Sequence, residues 1–180
     1  MKTYYVNSLT MLIIKCIIII DTTLFSKMKL FYSGGISIVK KILLILLRLI
    51  TIPYMYLVLI ITLLWRKPTY THNIKPPFWE ITELIKGNES LLFDIIANTI
   101  MLFPLGILAP LWLRKADNVK KVALTGFLVS LVIEITQLIT TRGYFEIDDL
   151  FHNTLGAVIG ALIGCPLARW IFSDSKSQRK

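Results

Sequence analysis

Four long apolar segments alternate with short polar connections along most of the chain. They cover residues 42–65, 91–113, 122–140 and 150–172. Each is close to the roughly 20 apolar residues that an α-helix needs to cross the hydrocarbon core of a bilayer. The pattern predicts an all-α membrane protein, with a bundle of four transmembrane helices inside a domain of residues 31–172 and a polar tail at 173–180.

The N-terminal region, residues 1–30, is compatible with more than one structure. Residues 9–20 are apolar, but this run is short for a span and Lys15 interrupts it. No small-residue cleavage site typical of a secretory signal follows the run. Three interpretations stay open: a helix at the membrane interface, an extra N-terminal span, or a start of translation at Met28.

The connection between the first two spans, residues 66–90, contains Pro68, Pro76 and Pro77, which argue against one continuous helix. Inside it, residues 78–86 carry apolar side chains at helical spacing, with Glu80 and Glu83 toward the other face. We expect a short amphipathic helix that lies on the membrane.

Composition and charge support the membrane class and predict an orientation. The chain is 55% hydrophobic, its mean hydropathy is +0.68, and its net charge is +9. Lysine and arginine concentrate before the first span, between the second and third spans, and after the fourth. Because basic residues favour the cytoplasmic side, the C-terminus is predicted to be cytoplasmic in a multi-pass protein of the cell membrane. The basic charge is therefore a topology signal, and nucleic acid is not an expected partner.

Eight polar side chains in or beside the last three spans form the candidate site. They are Asp94, Asn98, Glu134, Gln137, Arg142, Asp148, Asp149 and Asn153. In the predicted orientation they all lie in the outer half of the membrane or at its outer mouth, with Glu134 about 9 Å deep at 1.5 Å per residue. Such groups are costly in hydrocarbon and are tolerated where they face protein or a water-filled cavity. A polar site that opens outward is the functional prediction.

Each of these polar groups also has a purely structural interpretation. Glu134 and Arg142 could form a buried ion pair that locks the hairpin between the third and fourth spans. The two asparagines could join helices through hydrogen bonds, and the two adjacent aspartates could cap the fourth helix. His152 is expected to pack or to lie at the interface rather than to catalyse.

The fourth span carries a packing face of small residues. Gly156, Gly160 and Gly164 are four residues apart and let another helix approach closely. Asp149 and Asn153 continue the same face toward the start of the span. The sequence does not decide whether this face packs within the chain or makes a dimer, so the oligomeric state stays open.

The four carboxylates among the candidate residues are possible ligands for a hard divalent cation such as Mg²⁺ or Ca²⁺. Arg142 lies in the same turn and is the expected counter-ion instead. No set of histidines and cysteines suits zinc, since Cys16 and Cys165 both lie in apolar segments without ligand spacing. The sequence therefore predicts no metal, no other cofactor and no disulfide.

A series of short motifs runs through the last three spans. They are Asn98, FPLG at 103–106, EITQ at 134–137, Arg142, DDL at 148–150 and NTLG at 153–156. In this order they resemble the VanZ-like family, which is named for a membrane protein that raises resistance to the glycopeptide antibiotic teicoplanin. The resemblance covers about residues 73–164, although Glu146 stands where the family more often has aspartate. It implies a small multi-span protein of the bacterial cell envelope and supplies no mechanism.

Three functions follow from these observations. The preferred one is a non-catalytic envelope protein that changes the access of a lipophilic glycopeptide to its target. The alternative is a membrane enzyme that uses Glu134 or one of the adjacent aspartates, Asp148 or Asp149, as general base on a lipid-linked cell-wall precursor. A small transporter ranks last, because the cytoplasmic halves of the last three spans show no matching polar line. Expected partners are membrane lipid and either the glycopeptide or the precursor.

Overall fold

The structure, a computed structural model, describes residues 37–113 and 117–173. These residues form five α-helices, one π-helical segment and two short strands. In chain order they are α1 (Ile38–Leu59), the π-helical segment (Ile60–Leu64), β1 (Ile74–Lys75), α2 (Trp79–Ile85), α3 (Ser90–Trp112), α4 (Val119–Thr140), β2 (Phe145–Glu146) and α5 (Ile147–Phe172). The expectations for residues 1–30 and for the tail beyond Ser173 lie outside the described residues.

Four of the helical elements are long and apolar enough to cross a membrane. They are α1 with its π-helical continuation (27 residues), α3 (23 residues), α4 (22 residues) and α5 (26 residues). The prediction of an all-α bundle with four spans is confirmed. The fourth span, α5, begins at Ile147 rather than at the predicted Leu150, so Asp148 and Asp149 lie in its first turn.

The most extensive helix contact is between α3 and α5, and α4 packs on the same side of the bundle against α5. The three glycines of α5 each face a backbone carbonyl of α3. Gly156 faces that of Thr99, Gly160 that of Phe103, and Gly164 that of Ile107. A Cβ at any of these positions would collide with the facing carbonyl, so the glycines set the close approach of the two backbones. The small-residue face therefore packs within the chain.

Helix α1 lies at the edge of this bundle and leaves most of its apolar side chains exposed. Polar contacts attach it to α3. The Arg48 guanidinium donates to the Leu111 carbonyl at 2.8 Å, and the Tyr54 hydroxyl donates to the Met101 carbonyl at 2.8 Å. Since carbonyls near a helix end lack intrahelical donors, Arg48 supplies one that the last turn of α3 needs.

A short parallel pairing joins the α1–α2 connection to the turn between α4 and α5. Ile74 pairs with Phe145, and Lys75 pairs with Glu146. The Thr69 amide also donates to the Thr141 carbonyl at 2.7 Å. Apolar periodicity did not predict this pairing, because each strand has only two residues. The β1–β2 pairing brings two loops that are distant in sequence together, next to the end of α4 and the start of α5.

Candidate functional site

One end of the bundle, where α1 and α4 end and α3 and α5 begin, holds nearly all of the buried polar side chains among the described residues. We call it the polar end. It contains five buried carboxylates, named here the carboxylate cluster: Glu80, Glu134, Glu146, Asp148 and Asp149. They come from α2, α4, β2 and α5. The polar end therefore draws charged side chains from four separate elements.

Three members of the cluster approach one another most closely. Each of Glu80, Glu146 and Asp149 offers one carboxylate oxygen, and these oxygens all lie within 4.8 Å of one another. Buried like charges at this separation repel, so neighbouring cations, protons or a bound ion must offset them. We call these three residues the acidic trio.

Arg66 is the cation next to Asp149. Its Nη2 lies 3.5 Å from Asp149 Oδ2, and its Nη1 donates to Gln137 Oε1 at 3.3 Å. The Gln137 amide in turn donates to the Thr62 carbonyl at 3.0 Å. Gly143 borders this group, since a Cβ there would lie 3.0 Å from Arg66 Nη1. The arginine and glutamine thus join the π-helical segment, α4 and α5.

Lys75 is the cation next to Glu146, with Nζ 3.4 Å from Oε1. The same ammonium lies over the Trp79 ring, 3.2 Å from the centroid, and 5.1 Å from the centroid of the Tyr144 ring. The strand pairing of Lys75 with Glu146 explains this geometry, because it places the two residues side by side. One ammonium is thus shared between a carboxylate and two aromatic faces.

The other two members of the cluster accept hydrogen bonds from the backbone. Glu134 Oε2 accepts from the Glu146 amide at 2.9 Å. Asp148 accepts from the amides of Phe78 at 2.7 Å and Glu80 at 3.2 Å, and so holds the start of α2. Glu134 and Asp148 therefore have backbone donors, whereas the partners found for the acidic trio among the described residues are side chains.

Glu80 faces the bundle, whereas the sequence predicted that it would face away from the apolar side of a membrane-surface helix. Its side chain is 1% exposed, and its Oε2 lies 3.1 Å from His152 Nε2. The pKa of Glu80 is raised to about 7, mainly by burial and also by the charges of Glu146, Asp148 and Asp94, while Lys75 acts in the opposite direction. The outward positions of α2 carry Ile81 and Ile85 instead, both exposed.

The two predicted asparagines both bridge helices. Asn98 of α3 donates to Asp149 Oδ1 of α5. Asn153 of α5 donates to Ser130 Oγ of α4 at 2.9 Å, while its buried Oδ1 accepts no hydrogen bond within the described part of the chain. Asp94 is on α3, one turn before Asn98, but its side chain is exposed and forms no ion pair with another described residue. Of the two predicted α3 residues, Asn98 therefore contacts the carboxylate cluster.

Arg142 does not pair with Glu134. Its Nη1 donates to the carbonyls of Leu63 at 3.2 Å and Leu64 at 3.1 Å. These carbonyls end the first span and need donors from outside the helix. Arg142 therefore fastens the hairpin turn to the first span, and Glu134 takes a backbone amide instead.

Sequence reasoning missed four charged residues at the polar end. The apolar spacing predicts the wrong face of α2 for Glu80, and Arg66 and Lys75 lie in a connection for which the sequence predicts no site. Glu146 stands out in the sequence only as a departure from the family pattern. The presence of Trp79 and Glu80 a few residues after Lys75 is a weak signal, since only the strand pairing brings Lys75 to Glu146.

Comparison with known proteins gives one match. Residues 41–169 match the family model VanZ/LLP1, which confirms the predicted resemblance. No curated protein and no solved structure matches the chain. The matched residues include all of the second and third spans, most of the first and fourth, and every member of the carboxylate cluster.

Proposed function

Because the chain belongs to the VanZ/LLP1 family, we propose that it acts at the bacterial cell envelope and changes susceptibility to teicoplanin-type glycopeptide antibiotics. It is a multi-pass membrane protein whose apolar helices contact lipid. In this proposal the polar end is the functional surface. The role is non-catalytic: the protein alters the access of an amphiphilic glycopeptide to its target at the membrane surface.

The observation that carries this proposal is the acidic trio. Glu80, Glu146 and Asp149 are buried close together, although helix packing alone would favour apolar or neutral side chains there. Clusters of buried ionisable groups are typical of functional sites. Their retention at the polar end indicates a role that folding does not supply.

The charge distribution supports an outward orientation for the polar end. The opposite end carries Lys40, Lys41, Lys120, Lys121 and Arg169. By the positive-inside rule we place that end, and the C-terminus, in the cytoplasm. The polar end then faces the compartment from which a glycopeptide arrives.

The exposed face of α2 supports an amphiphilic ligand. Ile81 and Ile85 are exposed on the short helix whose Glu80 enters the cluster, and Phe78, just before this helix, is exposed as well. Apolar side chains at the membrane interface accommodate acyl groups. A molecule with a lipid tail and a polar head would meet both kinds of surface at one place.

The test is expression in a glycopeptide-sensitive bacterium. We expect the wild-type chain to raise the minimal inhibitory concentration of teicoplanin at least fourfold, with a smaller change for vancomycin, which has no acyl tail to meet the apolar face. A wild-type chain that is present in the membrane at normal level and changes neither susceptibility would overturn the proposal.

A matched pair of variants then separates the non-catalytic role from catalysis. Glu134→Gln keeps the shape of the side chain and an oxygen for the Glu146 amide, so most of the resistance should remain. Glu83→Gln is the control, because Glu83 lies outside the carboxylate cluster and its ion pair among the described residues is with Lys86, an exposed residue next to α2. Membrane levels of both variants are compared by immunoblot.

A second candidate function is a membrane enzyme that acts on a lipid-linked envelope precursor. The Glu80–His152 contact favours it, because an acid with a pKa near 7 beside an imidazole suits proton transfer at neutral pH. This candidate predicts that Glu80→Gln, like Glu134→Gln at the base expected from the sequence, abolishes activity at normal expression and changes the profile of lipid-linked precursors. A transporter remains the weakest reading, since the described residues of the opposite half of α3–α5 bury mainly apolar side chains.

A further inference from the structure

We propose that the acidic trio, Glu80, Glu146 and Asp149, binds one hard divalent cation, Mg²⁺ or Ca²⁺. The three carboxylate oxygens already lie within 4.8 Å of one another. Cation–oxygen distances are about 2.0–2.1 Å for Mg²⁺ and about 2.3–2.6 Å for Ca²⁺, so oxygens bound to one ion are separated by up to about 4 Å and about 5 Å, respectively. One ion therefore reaches all three ligands with only small side-chain rotations.

An unsatisfied buried oxygen is the second observation that indicates a ligand. Glu80 is 1% exposed, and its Oε2 accepts no hydrogen bond of acceptable geometry from the described residues. The neighbouring polar atom is His152 Nε2, 3.1 Å away. Buried carboxylate oxygens without a donor are rare, and an ion is one of the groups that accounts for them.

The local charge balance also favours a cation. Arg66 lies beside Asp149 at 3.5 Å and Lys75 beside Glu146 at 3.4 Å, so each of these two carboxylates has one cationic neighbour. Glu80 has neither of these cations within ion-pair distance, and Glu134 and Asp148 add further negative charge nearby. Without a bound ion, a third basic side chain would be needed to offset this excess of negative charge. A divalent cation offsets it instead.

The structure removes the reason for which the sequence argued against a metal. That reason was Arg142 as counter-ion, but its guanidinium donates to the carbonyls of Leu63 and Leu64. The donor set also restricts the ion. Three carboxylates suit Mg²⁺ or Ca²⁺ better than zinc, which favours histidine and cysteine ligands.

Binding of the metal alone to the purified full-length protein in detergent tests this proposal. After treatment with a chelator, the protein is titrated with MgCl₂ and with CaCl₂ by isothermal calorimetry, and each titration is repeated in the presence of the other ion. We expect one ion per chain, and the ion that displaces the other is the preferred one. Electron paramagnetic resonance of Mn²⁺, used as a probe, reports occupancy independently.

Three variants locate the ion. Glu80→Gln and Glu146→Gln should each weaken binding at least tenfold, while Glu83→Gln, which alters a half-buried glutamate of the same helix outside the acidic trio, should bind as the wild type does. Size-exclusion chromatography checks that every variant is monodisperse. If Glu80→Gln fails to fold, Glu146→Gln carries the test.

Two results would overturn the proposal. One is the absence of stoichiometric binding to folded wild-type protein, which would mean that protons alone offset the trio. The other is unchanged affinity in both folded variants, which would place the ion elsewhere. The measurement uses no antibiotic and no lipid precursor, so its outcome is independent of the proposed role in glycopeptide susceptibility.

Discussion

The polar end and the glycine-packed half of α5 hold the same helices together by different interactions. In the glycine-packed half, backbone touches backbone, and Gly156, Gly160 and Gly164 leave no space for a side chain. At the polar end the helices are joined through long side chains such as Arg66 and Gln137, which span several ångströms. Packing contacts of the first kind are insensitive to pH and ions, whereas the second kind depends on both.

This difference indicates a division of roles between the two regions. The glycine-packed half fixes the distance between α3 and α5 and can thereby hold the polar end in place. The polar end keeps close carboxylates that a structure selected only for stability would replace. Perturbing each region should therefore give a distinct kind of effect.

The largest effect should come from filling the glycine contact. In Gly160→Leu the new side chain would meet the Phe103 carbonyl, which cannot move without displacing α3. Overpacking against a rigid backbone should lower the free energy of unfolding by about 3 kcal/mol or more. Thermal unfolding in detergent measures the loss. Ile163→Leu is the control, because Ile163 is 52% exposed on the same helix. Equal stability of Gly160→Leu and wild type would show that the α3–α5 contact is not close.

A smaller change in the free energy of unfolding, which unlike the first depends on pH, is expected at the polar end. The pKa of Glu80 is about 7 in the folded protein and 4.5 for the free side chain, so Glu80 stays protonated to a higher pH in the folded state than in the unfolded state. In chelator-treated protein the stability supplied by protonated Glu80 is complete below pH 4.5 and is lost as the pH rises through 7. The shift corresponds to up to about 3 kcal/mol, and we expect about 2 after screening by nearby charges.

The comparison of wild type with Glu80→Gln isolates this titration from the other groups that face Glu80, namely Glu146, Asp148, Asp94, Lys75 and His152. Between pH 5 and pH 8 the wild-type Tm should fall, and the variant Tm should change much less. A wild-type Tm that rises over this interval would contradict the assignment.

The smallest effect should come from the bridge between α4 and α5, at the border of the two regions. Asn153→Ala removes the hydrogen bond to Ser130 and should cost about 0.6 kcal/mol, the average for such bonds between membrane helices. The double variant with Ser130→Ala should cost less than the sum of the single variants, since neither polar partner is left buried alone. Strict additivity would mean that the two side chains do not interact.

The sequence predicted the spans more completely than the site. Length and apolarity are local properties, and they identified four helices and the face that carries Asp149, Asn153 and Gly160. The functional role of the candidate residues stays a prediction. The pairings depend on where loops return in space, so the partners of Glu80 and Arg142 could not be found from periodicity. A helix of seven residues, such as α2, also offers too few turns to show which face is buried.

The attachment of α1 has a consequence for the order of biosynthesis. The π-helical end of this span leaves the ribosome before the segments that fasten it, because its carbonyls accept from the side chains of Gln137 and Arg142. The contacts of α1 with α3 can form earlier, whereas the π-helical end has these partners only after α4 and the following turn have been made. The same contacts of Gln137 and Arg142 fix the start of the loop that carries Arg66 and Lys75. The charged surface of the polar end is therefore completed last, after the whole bundle has entered the membrane.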